Sequence, residues 1–140
     1  GFFYHDQVGF NYRLANINAA LGVAQLERMN EFIQYKTNLA KYYKDYFDKI
    51  AACRFVAPEF GGISNYWLCA VQLDKLGNAE LNSLIEVAYQ QGVMLRPLWQ
   101  LNNELPMYKD CPSMPLNNAK RHVASVLCLQ SSAALAKHLS

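Results

Sequence analysis

Apolar residues recur along this chain with two different spacings, and the alternation between them outlines its elements. Ile17, Ala20, Leu21 and Ala24 fall on one side of a 3.6-residue repeat, with Leu14 leading in. They predict an amphipathic core helix with Asn16 as its N-cap. A second helix is expected from a cap at Asn30, carrying Phe32, Tyr35, Leu39, Tyr42, Tyr43, Tyr46, Phe47 and Ile50 on one broad face. An aromatic stripe of this kind is the usual material of a core or an interface.

The spacing then changes. Arg54-Phe55-Val56-Ala57 reads as a short extended run, and the paired glycines Gly61-Gly62 mark a turn. Over residues 65–73, Trp67, Cys69, Val71 and Leu73 alternate with Tyr66, Leu68, Ala70 and Gln72, which predicts a strand largely apolar on both faces and an antiparallel partner for the first. Gly77-Asn78 opens a third helix, with Leu81, Leu84, Ile85, Ala88 and Tyr89 on one face and Gly92 as its stop. Val93-Met94-Leu95-Arg96 reads as a strand halted by Pro97. Pro106, Pro112 and Pro115 keep the next segment irregular, and a long irregular stretch is often a functional loop. Residues 116–127 predict another helix through Ala119, Val123 and Val126. Ser131-Ser132 caps a last short one ending near Lys137 and His138, where cations favour a helix C-terminus. A β-β-α-β order after two helices predicts an α+β fold: a small, mostly antiparallel sheet covered by helices.

Composition narrows the class. At 140 residues the chain fits one domain able to bury a core. A formal net charge of +2, with 17% charged residues, is no electrostatic footprint for nucleic acid or an anionic membrane. No run approaches the roughly 20 apolar residues of a membrane span. The start, Gly1-Phe2-Phe3-Tyr4-His5, has neither the basic flank nor the apolar core of a secretory signal, and it lacks an initiator methionine, as a fragment or processed chain would. Cys53, Cys69, Cys111 and Cys128 are widely spaced, and two of them sit in apolar runs. The expectation is free thiols in a cytoplasmic protein.

Chemistry is concentrated at two places. Asn11 and Arg13 stand in a polar loop entering the first helix, where an amide and a guanidinium suit an anion such as phosphate. A loop that only connects has the same composition. Arg96, at a strand end and followed by Pro97-Leu98-Trp99, can clamp a diphosphate while the indole covers a sugar or base; a surface arginine stacked on tryptophan reads the same way. Gly61-Gly62 follows no buried strand and opens no helix, which argues against a phosphate-cradling loop. His5-Asp6 is read as structural or at a substrate edge, since adjacent residues on an extended chain point apart. His5, His122 and His138 are too dispersed to predict a metal site or a catalytic triad.

The segment His5-Asp6-Gln7-Val8-Gly9-Phe10-Asn11-Tyr12-Arg13-Leu14, with Asn16-Ile17-Asn18-Ala19-Ala20-Leu21-Gly22-Val23-Ala24-Gln25-Leu26, resembles the signature that opens the C-terminal domain of the DegT/DnrJ/EryC1 sugar aminotransferases. Ser64-Asn65-Tyr66-Trp67-Leu68, Arg96-Pro97-Leu98-Trp99 and Leu105-Pro106-Met107-Tyr108 resemble motifs of the subgroup near the perosamine and legionaminic-acid pathway enzymes. Four motifs in the family's order cover almost the whole chain.

The resemblance implies the small C-terminal domain of a fold-type I transferase dependent on pyridoxal 5'-phosphate (PLP), with residues 1–140 forming that single domain. The complete enzyme would move an amino group from an amino acid, glutamate being the expected donor, to a nucleotide-linked keto sugar in surface polysaccharide or nonulosonate biosynthesis. It implies a homodimer in which Asn11 reaches the cofactor phosphate of the neighbouring subunit, with Arg13 either joining it or organising the helix start. It places Arg96, Trp99, Tyr66 and Asn65 toward the sugar nucleotide, with Trp67 open to a purely core role. None of Lys36, Lys41, Lys44, Lys49, Lys75 and Lys109 stands in the context of the family's cofactor-bonding lysine, which belongs to the larger N-terminal domain. No catalytic residue is therefore expected here, and the chain alone is expected to be inactive. Two departures stand out: Asn103 replaces a histidine common among relatives, and Leu129-Gln130-Ser131-Ser132 replaces a Leu-Pro-Ser-Ser turn. The rival readings are a non-catalytic remnant that binds a nucleotide sugar or a full-length partner, and a plain interaction domain.

Overall fold

The computed structural model describes residues 4–11, 13–59, 61–74, 76–137 and 139. Two helices lead: α1 (Asn16–Glu27) and α2 (Met29–Phe47), hinged at Arg28. They are followed by β1 (Cys53–Phe55), β2 (Cys69–Leu73), α3 (Asn78–Gln90) and β3 (Arg96–Pro97). Two single 3₁₀ turns at Asn102–Glu104 and Pro106–Tyr108 lead to α4 (Asn117–Val123), β4 (Val126–Leu129) and α5 (Ala133–Ala136). The four strands form one antiparallel sheet in the order β1-β2-β4-β3. This is the expected α+β architecture.

The core lies where the helices meet the central strands. Along β2, Cys69, Val71 and Leu73 are buried in the period-two pattern of a strand. Val71 and Leu127 face each other in the β2–β4 register and pack with Leu73 and with Leu81 of α3. A second cluster joins Ala40 of α2 to Phe55 and Cys69. Leu127 is 1% exposed, so Leu127→Ala is expected to cost about 2–5 kcal/mol by the usual cavity penalty. Urea unfolding followed by circular dichroism measures it.

Several boundaries differ from the sequence expectation. Helix α1 begins at Asn16 itself; Ala15 is the N-cap and no side chain caps it. Asn30 lies inside α2, because the backbone resumes helical geometry directly after Arg28, whose guanidinium pairs with Glu31 and covers the Phe32 ring. The strand predicted over residues 65–73 starts only at Cys69. Before it, Ser64 Oγ accepts the Tyr66 N–H, Asn65 Oδ1 accepts the Trp67 N–H, and Tyr66 adopts a φ of 46°. Such local side-chain bonds compete with a ladder. β3 begins at Arg96 and includes Pro97, which an edge strand tolerates.

The largest correction is at residues 116–127. The helix stops at Val123, and Val126-Leu127-Cys128-Leu129 is a strand paired on both sides. A short continuous apolar run fits a buried strand and a helix segment equally well, and here two neighbouring strands decide it.

The third helix matches its expected bounds, with Gly77 as cap and Gly92 at φ 76° just past its end. Ser132 caps α5, its Oγ accepting the Ala134 N–H; His138 lies outside the described residues, as does Tyr12 of the opening motif. The aromatic stripe of α2 is divided. Leu39 is buried and Tyr43 and Phe47 pack on the core, but Tyr42 and Tyr46 face solvent. Helix α1 departs most: it buries no residue, and Ile17 and Leu21 are 79% and 63% exposed. The predicted helix is present, without the core it was expected to join.

Candidate functional site

A cavity of about 550 Å³ opens at the β3 edge of the sheet. Its base is Leu81 and Cys128; its polar groups include Arg96, Asn78, Asn82 and Glu104. Arg96 enters because it pairs in register with Cys128, leaving its side chain exposed at the rim. Trp67 and Trp99 line the same cavity and stack on one another, ring centroids 6.3 Å apart and planes 29° apart. Trp67 is 70% and Trp99 50% exposed, so the pair presents broad aromatic surface to a ligand. Burial raises the Cys128 thiol above its ordinary range while the nearby Arg96 charge opposes the shift, so the base of the cavity is a neutral group. A fixed cation beside stacked indoles over an apolar base can hold a diphosphate and cover a planar base or sugar ring.

The sequence-predicted residues fall into three places. Arg96 and Trp99 meet at the cavity, joined by Trp67. Asn65 and Tyr66 do not line it. Asn65 Oδ1 fixes the Trp67 backbone, and the half-buried Tyr66 ring packs 6.4 Å from Phe55. Asn11 and Arg13 are exposed before α1, with Arg13 at a φ of 49°. His5 and Asp6 are also exposed there, and Tyr4 of the same arm lines the cavity. Asn103 lies in a second, more open cavity of about 570 Å³, where its Oδ1 is buried without a partner.

Sequence reasoning missed Tyr4, Asn78, Asn82 and Glu104. Asn78 and Asn82 carried a usable signal: they stand four apart in the first turns of α3 and so share a face. Among the described residues no cluster of His, Cys, Asp and Glu has the arrangement of a metal site, and no helix is long and apolar enough to cross a membrane.

The fold matches solved sugar aminotransferases. The structure of DesI with its TDP-sugar product superposes with a TM-score of 0.74 at 23% identity, covering 84% of this chain and 30% of that one. A putative sugar aminotransferase from Streptococcus pneumoniae, in its PMP form, gives 0.74 at 18% identity over 86% and 31%. In sequence, the chain is 30% identical to a GDP-perosamine synthase of Vibrio cholerae over 86% of its own length and 33% of that enzyme's. It is 29% identical to a putative pyridoxal phosphate-dependent aminotransferase of Bacillus subtilis, over 76% and 27%. The chain thus spans at most about a third of these curated relatives. The sequence model of the DegT/DnrJ/EryC1/StrS aminotransferases matches residues 1–138, and the chain belongs to that family.

Proposed function

We propose that residues 1–140 are the C-terminal small domain of a PLP-dependent enzyme that transfers an amino group from an amino acid, with glutamate the expected donor, to the keto carbon of a nucleotide-linked sugar. The setting is cytoplasmic synthesis of surface polysaccharide or nonulosonate precursors. The observation that carries this reading is the cavity in which Arg96 stands with the Trp67–Trp99 stack. The guanidinium fork would bind the diphosphate, the indoles would cover base or sugar, and Asn82 and Glu104, which line the same cavity, would orient sugar hydroxyls.

The residues ahead of α1 fit the cofactor's phosphate. Asn11 and Arg13 supply donors in an exposed arm, and α1 has neither a side-chain cap nor an acid in its first turn to compete with an anion. In a homodimer Asn11 would hold the phosphate bound in the neighbouring subunit, with Arg13 beside it. When bound, PLP supplies the electron sink that amino-group exchange requires. This chain binds and orients, and the proton-moving lysine belongs to the larger domain.

Mixing tests the assignment. The chain alone is expected to show no transamination of nucleotide-linked keto sugars, and activity should appear when a separately made lysine-bearing domain is added. Turnover by the chain alone would contradict the proposal. So would a mixture that assembles and binds PLP but stays inactive, which would favour a non-catalytic module.

A further inference from the structure

The β2–β4 ladder ends at the pair Cys69–Leu129. Two residues further along each strand, the next like pair would be Trp67 and Ser131, and there the strands part. The gap is closed by side chains. From α2, Lys36 Nζ donates to the Trp67 carbonyl at 3.3 Å and to the Ser131 carbonyl at 2.5 Å. Ser131 Oγ accepts the Cys69 N–H at 2.7 Å and donates to the Leu129 carbonyl at 2.9 Å. Further along the same helix, the Tyr43 hydroxyl donates to the Gln130 carbonyl at 3.0 Å.

Both backbone groups of Trp67 are thus held by side chains rather than by the sheet: its N–H by Asn65 Oδ1, its carbonyl by Lys36. On the Ser131 side these bonds are half-buried, and strands that parted there without them would leave polar groups without partners, which is costly. Where the ladder has ended, the exposed Trp67 indole lies against Trp99.

We infer that Lys36 is a positioning residue: by bridging the Trp67 and Ser131 carbonyls where the β2–β4 ladder opens, it sets the Trp67–Trp99 stack that forms one wall of the cavity. The assignment of the stack to a nucleotide sugar rests on the function proposed above; the assignment of Lys36 to the stack does not. Both partners the structure gives this ammonium are neutral carbonyls, and burial holds it below the ordinary lysine range. Its placement is explained by the two carbonyls it bridges.

The chain has two tryptophans, and they are this pair, so their exciton couplet in circular dichroism reports the stack directly. Lys36→Met is expected to abolish the couplet while the helical signal is kept, with the melting temperature lowered by a few degrees as the two carbonyls lose their donor. Lys36→Arg should restore most of it, and Lys44→Met, on the exposed side of the same helix, should leave it intact. A couplet unchanged in Lys36→Met, or lost equally in Lys44→Met, would overturn the inference. Should Lys36→Met fail to fold, Lys36→Gln, which keeps a donor on a shorter arm, is expected to weaken the couplet, and an unaltered couplet would overturn the inference.

In the assembled enzyme, Lys36→Met should raise KM for a nucleoside-diphosphate sugar about tenfold with little change in kcat, the loss of roughly one hydrogen-bonded contact's worth of binding. Loss of the couplet with an unchanged KM would contradict the placement of the sugar nucleotide and leave the Lys36 assignment standing.

Discussion

Replacing Arg96 by methionine is expected to weaken binding of a nucleoside-diphosphate sugar by about 10- to 100-fold, the range for loss of a hydrogen bond to a charged group. Arg96 opens an edge strand, pairs with Cys128 and stands exposed at the rim of the cavity lined by both indoles. A guanidinium there is always charged and presents a planar fork that matches diphosphate oxygens, so Arg96→Lys should keep the charge and only part of the affinity. Methionine keeps the apolar stem, so the substitution reads the loss of the guanidinium rather than of side-chain bulk. Titration calorimetry on the assembled enzyme, with the nucleoside diphosphate and the sugar nucleotide in parallel, should show the same loss for both. An affinity within about twofold of wild type would move the diphosphate elsewhere.

Leu21→Asp is expected to leave the chain as stable as before and to abolish its assembly with the lysine-bearing domain. Helix α1 buries none of its residues in this chain, and its apolar positions, Ile17 and Leu21 among them, are open. Soluble proteins seldom leave a contiguous apolar face uncovered, and this one leads directly from the arm that carries Asn11. In the assembled enzyme a carboxylate at that face would be buried without a partner, at a cost of several kcal/mol, enough to lower association by more than about 100-fold. Analytical ultracentrifugation of the mixed halves reads the association, and thermal melting of the chain alone is the control. Assembly unaffected by the aspartate would show that this face is not the contact.

The readability of the sequence follows how local each cause is. Helix α3 is legible at both ends because Gly77 and Gly92 act through their own backbone, the latter at a φ of 76°. Ser132 announces α5 for the same reason. β4 is not legible: Val126-Leu127-Cys128-Leu129 becomes a strand because β2 and β3 flank it, and neither neighbour is local. Helix α1 is correct as a helix and incorrect as core: Val23 and Leu26 are exposed on the side away from Ile17 and Leu21, and a periodicity does not tell what covers any of them.

At the site, Arg96 and Trp99 can be named from a strand end followed by an indole, a local signal. Their contact with Trp67 cannot, because it depends on where the β2–β4 ladder stops. Asn65 shows the same limit: its motif points toward substrate, whereas its Oδ1 holds the Trp67 backbone. Lys36 looks like any helix-surface lysine until the two carbonyls it bridges are placed.

A crystal structure of the assembled enzyme soaked with a nucleoside-diphosphate sugar decides whether the cavity beside Arg96 holds a nucleotide sugar. Diphosphate oxygens are expected within hydrogen-bond distance of the Arg96 guanidinium, with a ring lying against Trp67 or Trp99. A sugar nucleotide bound elsewhere, with only solvent beside Arg96, would contradict that placement.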